Sequence, residues 1–139
     1  MTGRGGGSWL RRSARGARSS VVHHDRVAHA LVAIGAAGDA RALRRLLNPG
    51  VVLTVDGGGN VPAPAAALEG ATEVGSYLAG VMLASGTSLR VDAVNGMPGV
   101  VVCRDDAVTG ILGFRARGRQ ILEAWLVLNP DKLARWSCG

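Results

Sequence analysis

The chain has 139 residues, of which 47% are hydrophobic, and a formal net charge of +6. This length fits one domain with its own core, and the hydrophobic fraction excludes an intrinsically disordered protein. No apolar run approaches the roughly 20 residues of a membrane-spanning helix, and the N-terminus lacks the apolar stretch of a signal peptide. We therefore predict a cytoplasmic protein that does not enter a membrane.

The positive charge is concentrated at the N-terminus. Residues 1–20 hold five arginines and no acidic residue, so residues 21–139 keep only +1 of the net charge of +6. We predict a disordered basic tail over residues 1–20, followed by one domain over residues 21–139. Such a tail could add affinity for phosphate groups, or it could be an unstructured leader. Apart from the tail, the chain shows no pattern that indicates direct binding of nucleic acid.

The first half of the predicted domain contains helices and one clear strand. Apolar residues at helical spacing predict a helix over residues 22–34, and Asp39 is the expected N-cap of a second, shorter helix. The β-branched run over residues 51–55 predicts a strand. A glycine-rich turn follows this strand, and a third helix is predicted over residues 72–84.

The second half of the chain consists of consecutive strands. Asn95-Gly96 and Gly118 are turn signals typical of tight hairpins between them. This order indicates the α+β class, with a curved antiparallel sheet covered by about three helices into a cone with an apolar cavity at its mouth. The four predicted strands are Ser88–Val94, Val100–Arg104, Ala107–Ala116 and Gln120–Leu128.

The last hairpin contains the first candidates for a ligand site. If its loop has two residues around Gly118, side-chain alternation places Phe114 on the same face as Glu123 and Trp125. Leu112 shares that face. Glu123 then either lines the cavity, where it could act as a general acid or base, or lies at the surface. We predict a ligand site formed by these residues, with Asp56 near its rim.

Asp56 is the second candidate carboxylate, because it ends the first strand and opens the run Asp56-Gly57-Gly58-Gly59-Asn60. It could serve as a base at the cavity mouth, or it could accept backbone N–H groups across the turn. We expect at least one of these glycines to adopt a positive φ. The run does not match a nucleotide-binding glycine motif.

The histidines and cysteines indicate no metal site, no cofactor and no activated nucleophile. No two of His23, His24 and His29 are four residues apart, the spacing that places two metal ligands on one helix face. Two cysteines are too few for a disulfide scaffold. We therefore predict reduced thiols, with Cys103 buried in a strand and Cys138 mobile near the C-terminus.

Three short motifs occur in order along the chain. On the basis of these motifs, residues 21–136 resemble the SnoaL-like domain. The superfamily of this domain also contains ketosteroid isomerases and scytalone dehydratase. The chain is most similar to SnoaL-like domains at the C-terminus of SigJ-like extracytoplasmic-function sigma factors. In that group position 60 is usually Lys, and sigma-factor regions that have no counterpart in residues 1–20 precede the domain. The motifs are Asp56-Gly57-Gly58-Gly59-Asn60, Val94-Asn95-Gly96-Met97-Pro98-Gly99 and Asn129-Pro130-Asp131-Lys132-Leu133.

The resemblance implies a non-catalytic regulatory domain that modulates sigma-factor regions or RNA polymerase. The alternative is a small-molecule-binding protein, or an enzyme similar to a polyketide cyclase or an isomerase, that uses the cavity for a small apolar ligand. The resemblance implies that Asp56 corresponds approximately to the catalytic base of ketosteroid isomerases. It aligns Leu31 and Leu112 with the residues that form their oxyanion hole. Leucine donates no hydrogen bond, which disfavours the isomerase hypothesis. The sequence does not decide whether the chain forms a homodimer.

Overall fold

The computed structural model describes the backbone of residues 3–139 and the side chains of residues 20–139. None of the helices in this range has both the length and the hydrophobicity needed to cross a bilayer. The side chains of residues 1–19 lie outside the described residues. The predicted division into a tail over residues 1–20 and a domain over residues 21–139 therefore stays a prediction.

The helices are α1 (Gly3–Ala37), α2 (Ala40–Leu46), α3 (Ala71–Met82) and α4 (Pro130–Leu133). The strands are β1 (Leu47–Asp56), β2 (Leu68–Glu69), β3 (Thr87–Val94), β4 (Met97–Arg104), β5 (Ala107–Arg117) and β6 (Gln120–Val127).

These strands form one curved sheet in the order β2-β1-β6-β5-β4-β3. Strands β3 to β6 are an antiparallel meander, as predicted. The one difference from the predicted antiparallel sheet is β1, which runs parallel to β6. A parallel pair needs a long connection, and the segment from α3 through β5 provides it.

Local sequence signals set the ends of several elements. Asp39 caps α2 by accepting the N–H of Ala42 at 3.0 Å, as expected for this residue type at an N-cap. Asn95 and Gly96 both have positive φ, 51° and 80°, which is the conformation of a tight two-residue turn between β3 and β4. Gly118 has a φ of 62° in the two-residue loop between β5 and β6. These three signals were therefore correctly interpreted.

One face of the sheet, which we call the inner face, carries the hydrophobic core. Helices α1, α2 and α3 cover it, so the α+β class with three covering helices is confirmed. Leu31, Leu43 and Leu78 from the helices are fully buried against strand residues such as Leu112 and Leu126. Burying a leucine side chain stabilises a fold by about 1.5–3 kcal/mol, so this layer holds the helices on the sheet.

His24 joins α1 to the sheet from within this core. Its exposed fraction is 5%, and its ring stacks on Phe114 with centroids 5.5 Å apart. The ring nitrogen Nδ1 lies 2.7 Å from the carbonyl oxygen of Ser20, and Nε2 accepts the N–H of Ala116 at 3.2 Å. A neutral ring with its proton on Nδ1 satisfies both contacts. His24 is therefore a structural histidine rather than a metal ligand.

The opposite face, which we call the outer face, is partly covered by the C-terminal segment. Helix α4 packs against β5 and buries Leu133. Cys138 then forms a disulfide with Cys103 of β4, across a Cα–Cα distance of 5.9 Å. The predicted reduced thiols and mobile Cys138 are wrong here. The reason is that the chain folds back across the sheet, which brings together two residues that are 35 positions apart.

Candidate functional site

Asp56 lies where β1 ends, and its side chain is held by two groups. Its Oδ1 accepts the N–H of Gly58 at 2.9 Å, and its Oδ2 accepts a hydrogen bond from Nζ of Lys132 at 2.6 Å. Its carbonyl oxygen accepts the N–H of Leu128 at 2.7 Å. The ion pair with Lys132, helped by the Gly58 N–H, holds the pKa of the Asp56 carboxyl below its usual value. Asp56 is therefore a weaker base than an ordinary aspartate.

The glycine run meets the C-terminal motif directly. Gly58 and Gly59 have φ of 64° and 78°, which confirms the expected positive φ and the expected backbone bond to Asp56. A Cβ on Gly58 would lie 2.2 Å from Cγ of Asn129, so the two residues are in close contact. Asn129 in turn caps α4 by accepting the N–H of Asp131 at 3.1 Å. We call these contacts, together with the Asp56–Lys132 pair, the Asp56 clasp.

The clasp explains two of the three motifs by their structure. Residues 56–60 and 129–133 are distant in sequence, and here they form one contact that attaches α4 to the end of β1. Lys132, predicted only as a motif residue, is the ionic partner of Asp56. The sequence did not predict this ion pair, because a local pattern does not show that the two motifs lie close together in the folded chain.

The two candidate carboxylates and their neighbours do not share one face as predicted. The hairpin loop does have two residues, but Arg115 pairs with Glu123 whereas Ala116 pairs with Ile121. Leu122 is therefore an extra residue, a β-bulge, and it reverses the facing of the rest of β6. The predicted common face is wrong, because a bulge inside the strand has the same effect as a one-residue slip.

After the bulge, Phe114 lies opposite Ala124 and Leu112 opposite Leu126, all on the inner face. Glu123 lies on the outer face with Trp125. Its carboxylate Oε1 is 3.5 Å from Nε of Arg115, and its side chain is 37% exposed. Of the two alternatives for Glu123, the surface position is the one observed.

Trp125 lies between two depressions on the outer face. The smaller has a volume of about 170 Å³ and is lined by residues that include Val94, Phe114 and Trp125. The larger has a volume of about 490 Å³ and is lined by residues that include Thr54, Asp56 and Trp125. The structure thus brings Asp56 and Trp125 to adjoining surfaces of the outer face, whereas the side chain of Phe114 belongs to the inner face. Leu112 is buried in the core and Glu123 pairs with Arg115, so neither joins them. A binding role for these predicted residues stays a prediction.

Two glycines shape the surface beside Trp125. A Cβ on Gly99 would lie 2.6 Å from Val94, and a Cβ on Gly113 would lie 3.4 Å from Val94 and 3.9 Å from the ring of Trp125. The side chain of Val94 therefore packs directly over Gly99 of β4 and Gly113 of β5. Trp125 is left 42% exposed on this outer face, next to the Val94-Asn95-Gly96 turn.

Leu31 and Leu112 are the two positions that the resemblance aligns with the hydrogen-bond donors of ketosteroid isomerases. Leu31 and Leu112 are fully buried, and they belong to the same core cluster as Phe114. Stabilising a developing enolate needs preorganised donors, and these aliphatic side chains provide none.

Together, the six-stranded curved sheet and its helices have the SnoaL-like, NTF2-like fold. No family model matches the chain. An NTF2-like protein of unknown function from Mesorhizobium loti has the same fold with a TM-score of 0.58. That structure is 16% identical, and the match covers 78% of this chain and 93% of that one.

The chain is similar to the ECF RNA polymerase sigma factor SigJ of Mycobacterium tuberculosis. The two are 29% identical over 123 residues, which cover 78% of this chain and 38% of SigJ. The crystal structure of SigJ matches with a TM-score of 0.62 and 25% identity, over 91% of this chain and 50% of that one. The chain thus spans half or less of SigJ. The predicted resemblance is confirmed: the chain is similar in sequence and in fold to part of this sigma factor.

Proposed function

We propose that the chain is a non-catalytic regulatory domain that binds sigma-factor regions or RNA polymerase and modulates their activity. The observation that carries this proposal is the similarity to SigJ, which extends over most of this chain in both sequence and structure.

The outer face around Trp125 is the surface that we propose for this contact. Exposed aromatic side chains in depressions are typical anchors of protein interfaces, where a few of them contribute most of the binding free energy. Trp125 has this setting: it is 42% exposed and flanked by the two depressions, with the Asp56 clasp at one side.

The state of the carboxylates supports a non-catalytic role. Asp56 is engaged by Lys132 and Glu123 by Arg115, at 2.6 and 3.5 Å. A general base works best with a pKa near the operating pH, whereas the ion pair lowers the pKa of Asp56 further from that range. Turnover of a 3-ketosteroid or polyketide-like substrate that disappears in Asp56→Asn would overturn this part of the proposal.

The proposed contact can be tested by purifying the tagged chain from its own host and identifying bound proteins by mass spectrometry. We expect RNA polymerase subunits or a sigma factor with the natural chain, and their loss with Trp125→Glu. Val22→Glu is the matched control, because Val22 is an exposed apolar residue of α1, 53% accessible and away from the outer face. Equal recovery with Trp125→Glu would contradict the proposed surface. Absence of transcription proteins from the natural chain would contradict the proposed function.

The proposal includes a cytoplasmic location, because RNA polymerase acts there. Disulfides are rare in that compartment and often respond to redox conditions. We therefore expect the Cys103–Cys138 bond to respond to the redox state of the cell, with more of it formed after oxidant treatment. Alkylation of free thiols before and after the treatment measures this, and a bond present throughout would argue for an oxidising compartment.

A further inference from the structure

Another pocket lies at the opposite end of β6 from Asp56, where α1, the end of α2 and the β5–β6 loop meet. Its volume is about 380 Å³. Small-molecule sites typically start at about 300 Å³, so this pocket, which we call the hairpin pocket, is large enough for a small ligand. Val27, Ala30 and Leu46 provide apolar walls, and Gly118 in the loop adds no side chain.

The polar side chains that line the hairpin pocket are all able to donate hydrogen bonds. Arg26 of α1 and Arg119 of the loop line it, together with His23. A guanidinium group has five N–H donors and no acceptor, so the pocket is suited to a negatively charged ligand. An apolar wall beside such groups suits a ligand with an apolar body.

These donors have no partner within the described part of the chain. Neither Arg26 nor Arg119 forms an ion pair there. The Nε2 atom of His23 is buried and has no hydrogen-bond partner. Buried polar atoms are nearly always hydrogen-bonded in folded proteins, so this ring nitrogen marks a residue of the pocket wall whose polar group lacks a partner.

No acidic residue lines the hairpin pocket. Asp25, the residue before Arg26 in the chain, is paired with His29 at 3.5 Å. No described carboxylate therefore neutralises the two arginines of the pocket.

From these observations we propose that the hairpin pocket binds a small organic carboxylate with an apolar chain, such as a medium-chain alkanoate. The carboxylate accepts hydrogen bonds from Arg26 and Arg119, in the charge-assisted geometry that guanidinium groups favour. The alkyl chain lies against Val27 and Leu46. This site is independent of the proposed contact at Trp125.

Calorimetric titration of the full chain with decanoate tests the proposal. We expect saturable binding that weakens at least about tenfold in the double variant Arg26→Gln/Arg119→Gln, because each charged hydrogen bond contributes substantially. The matched control is Arg104→Gln/Arg135→Gln, which removes two exposed arginines away from the pocket and should leave the affinity unchanged. High salt should weaken binding to the natural chain.

Decan-1-ol, the uncharged analogue, separates a carboxylate site from a merely apolar one. We expect it to bind at least about tenfold more weakly than decanoate. Absence of saturable decanoate binding, equal binding by the double variant, or equal binding of the alcohol would each overturn the proposal. If the double variant does not fold, as judged by circular dichroism, Arg119→Gln alone is used, since it changes one exposed residue of the loop.

Discussion

The inner and outer faces of the sheet are built from alternate residues of the same strands, yet they differ in what they do. On the inner face Leu126 is fully buried beneath the helices, whereas on the outer face its neighbour Trp125 is 42% exposed. The inner face therefore forms the core, and the outer face leaves a large apolar side chain exposed to solvent. The register shift at the Leu122 bulge therefore decides which residues of β6 enter the core and which face solvent.

The sharpest test of this comparison is a pair of neighbouring substitutions. Leu126→Ala should lower the free energy of unfolding by about 2–5 kcal/mol, because it leaves a cavity in a packed core. Trp125→Ala should lower it by no more than about 1 kcal/mol, since surface changes are usually small. Urea denaturation measures both values. Equal losses would mean that the outer face is as fully packed as the inner one.

The disulfide, which joins the C-terminal segment to the outer face, is the next largest effect. Cys138→Ser should lower the free energy of unfolding by about 2–4 kcal/mol, because the open chain gains conformational freedom when unfolded. Reductant should produce the same loss in the natural chain and no further loss in the variant. A natural chain whose stability is insensitive to reductant would refute the role assigned to Cys103 and Cys138.

The Asp56 clasp at the edge of the outer face can be tested through its glycines. Gly58→Ala should lower the free energy of unfolding by about 1–3 kcal/mol, because it combines a positive φ with a collision against Asn129. Gly59→Ala is the control: its φ is also positive, but nothing lies within 4 Å of the added Cβ. Its cost should be about 1 kcal/mol. A larger loss at Gly59 than at Gly58 would contradict the contact with Asn129.

The smallest effect concerns pH and the Asp56–Lys132 pair. The pKa of Asp56 is lowered in the folded state by Lys132. Its contribution is therefore present above the unfolded value, about 3.9, and is lost as the pH falls through the lower folded value. The stability difference between the natural chain and Asp56→Asn should be nearly constant at neutral pH and shrink towards zero below about pH 4.

Asp106→Asn provides the control for this measurement, because Asp106 is an exposed carboxylate that has no ion pair among the described residues. Its pH dependence of stability should follow that of the natural chain. Added salt should reduce the Asp56 effect, since both members of the pair are partly exposed. A difference for Asp56→Asn that persists unchanged at low pH would show that the ion pair is not its cause.

Much of the fold could be predicted from local patterns. The Asp39 cap, the Asn95-Gly96 turn and the two-residue loop at Gly118 each depend on the conformational preferences of a few consecutive residues. The helices and the antiparallel meander followed from hydrophobic periodicity. The strained glycine turn after Asp56 was also predictable, because a positive φ strongly favours glycine.

The arrangement of the candidate site could not be predicted in the same way. The bulge at Leu122 occurs in a strand with regular alternation, and a prediction by period alone placed Glu123 and Phe114 on the same face. The bulge is favoured in the folded protein because it places Ala124 and Leu126 in the core and leaves Glu123 at the surface. That preference depends on which helices cover the strand.

The sequence by itself determined the fold class, the order of the elements, the tight turns and the resemblance to a sigma-factor-related domain, because these depend on neighbouring residues and short motifs. Only the tertiary structure decided that Asp56 is paired with Lys132, that Cys103 is joined to Cys138, and that Trp125 faces outward. Each of these depends on contacts between distant segments. Such contacts are set by packing and register of the whole sheet, for which a local pattern carries no information.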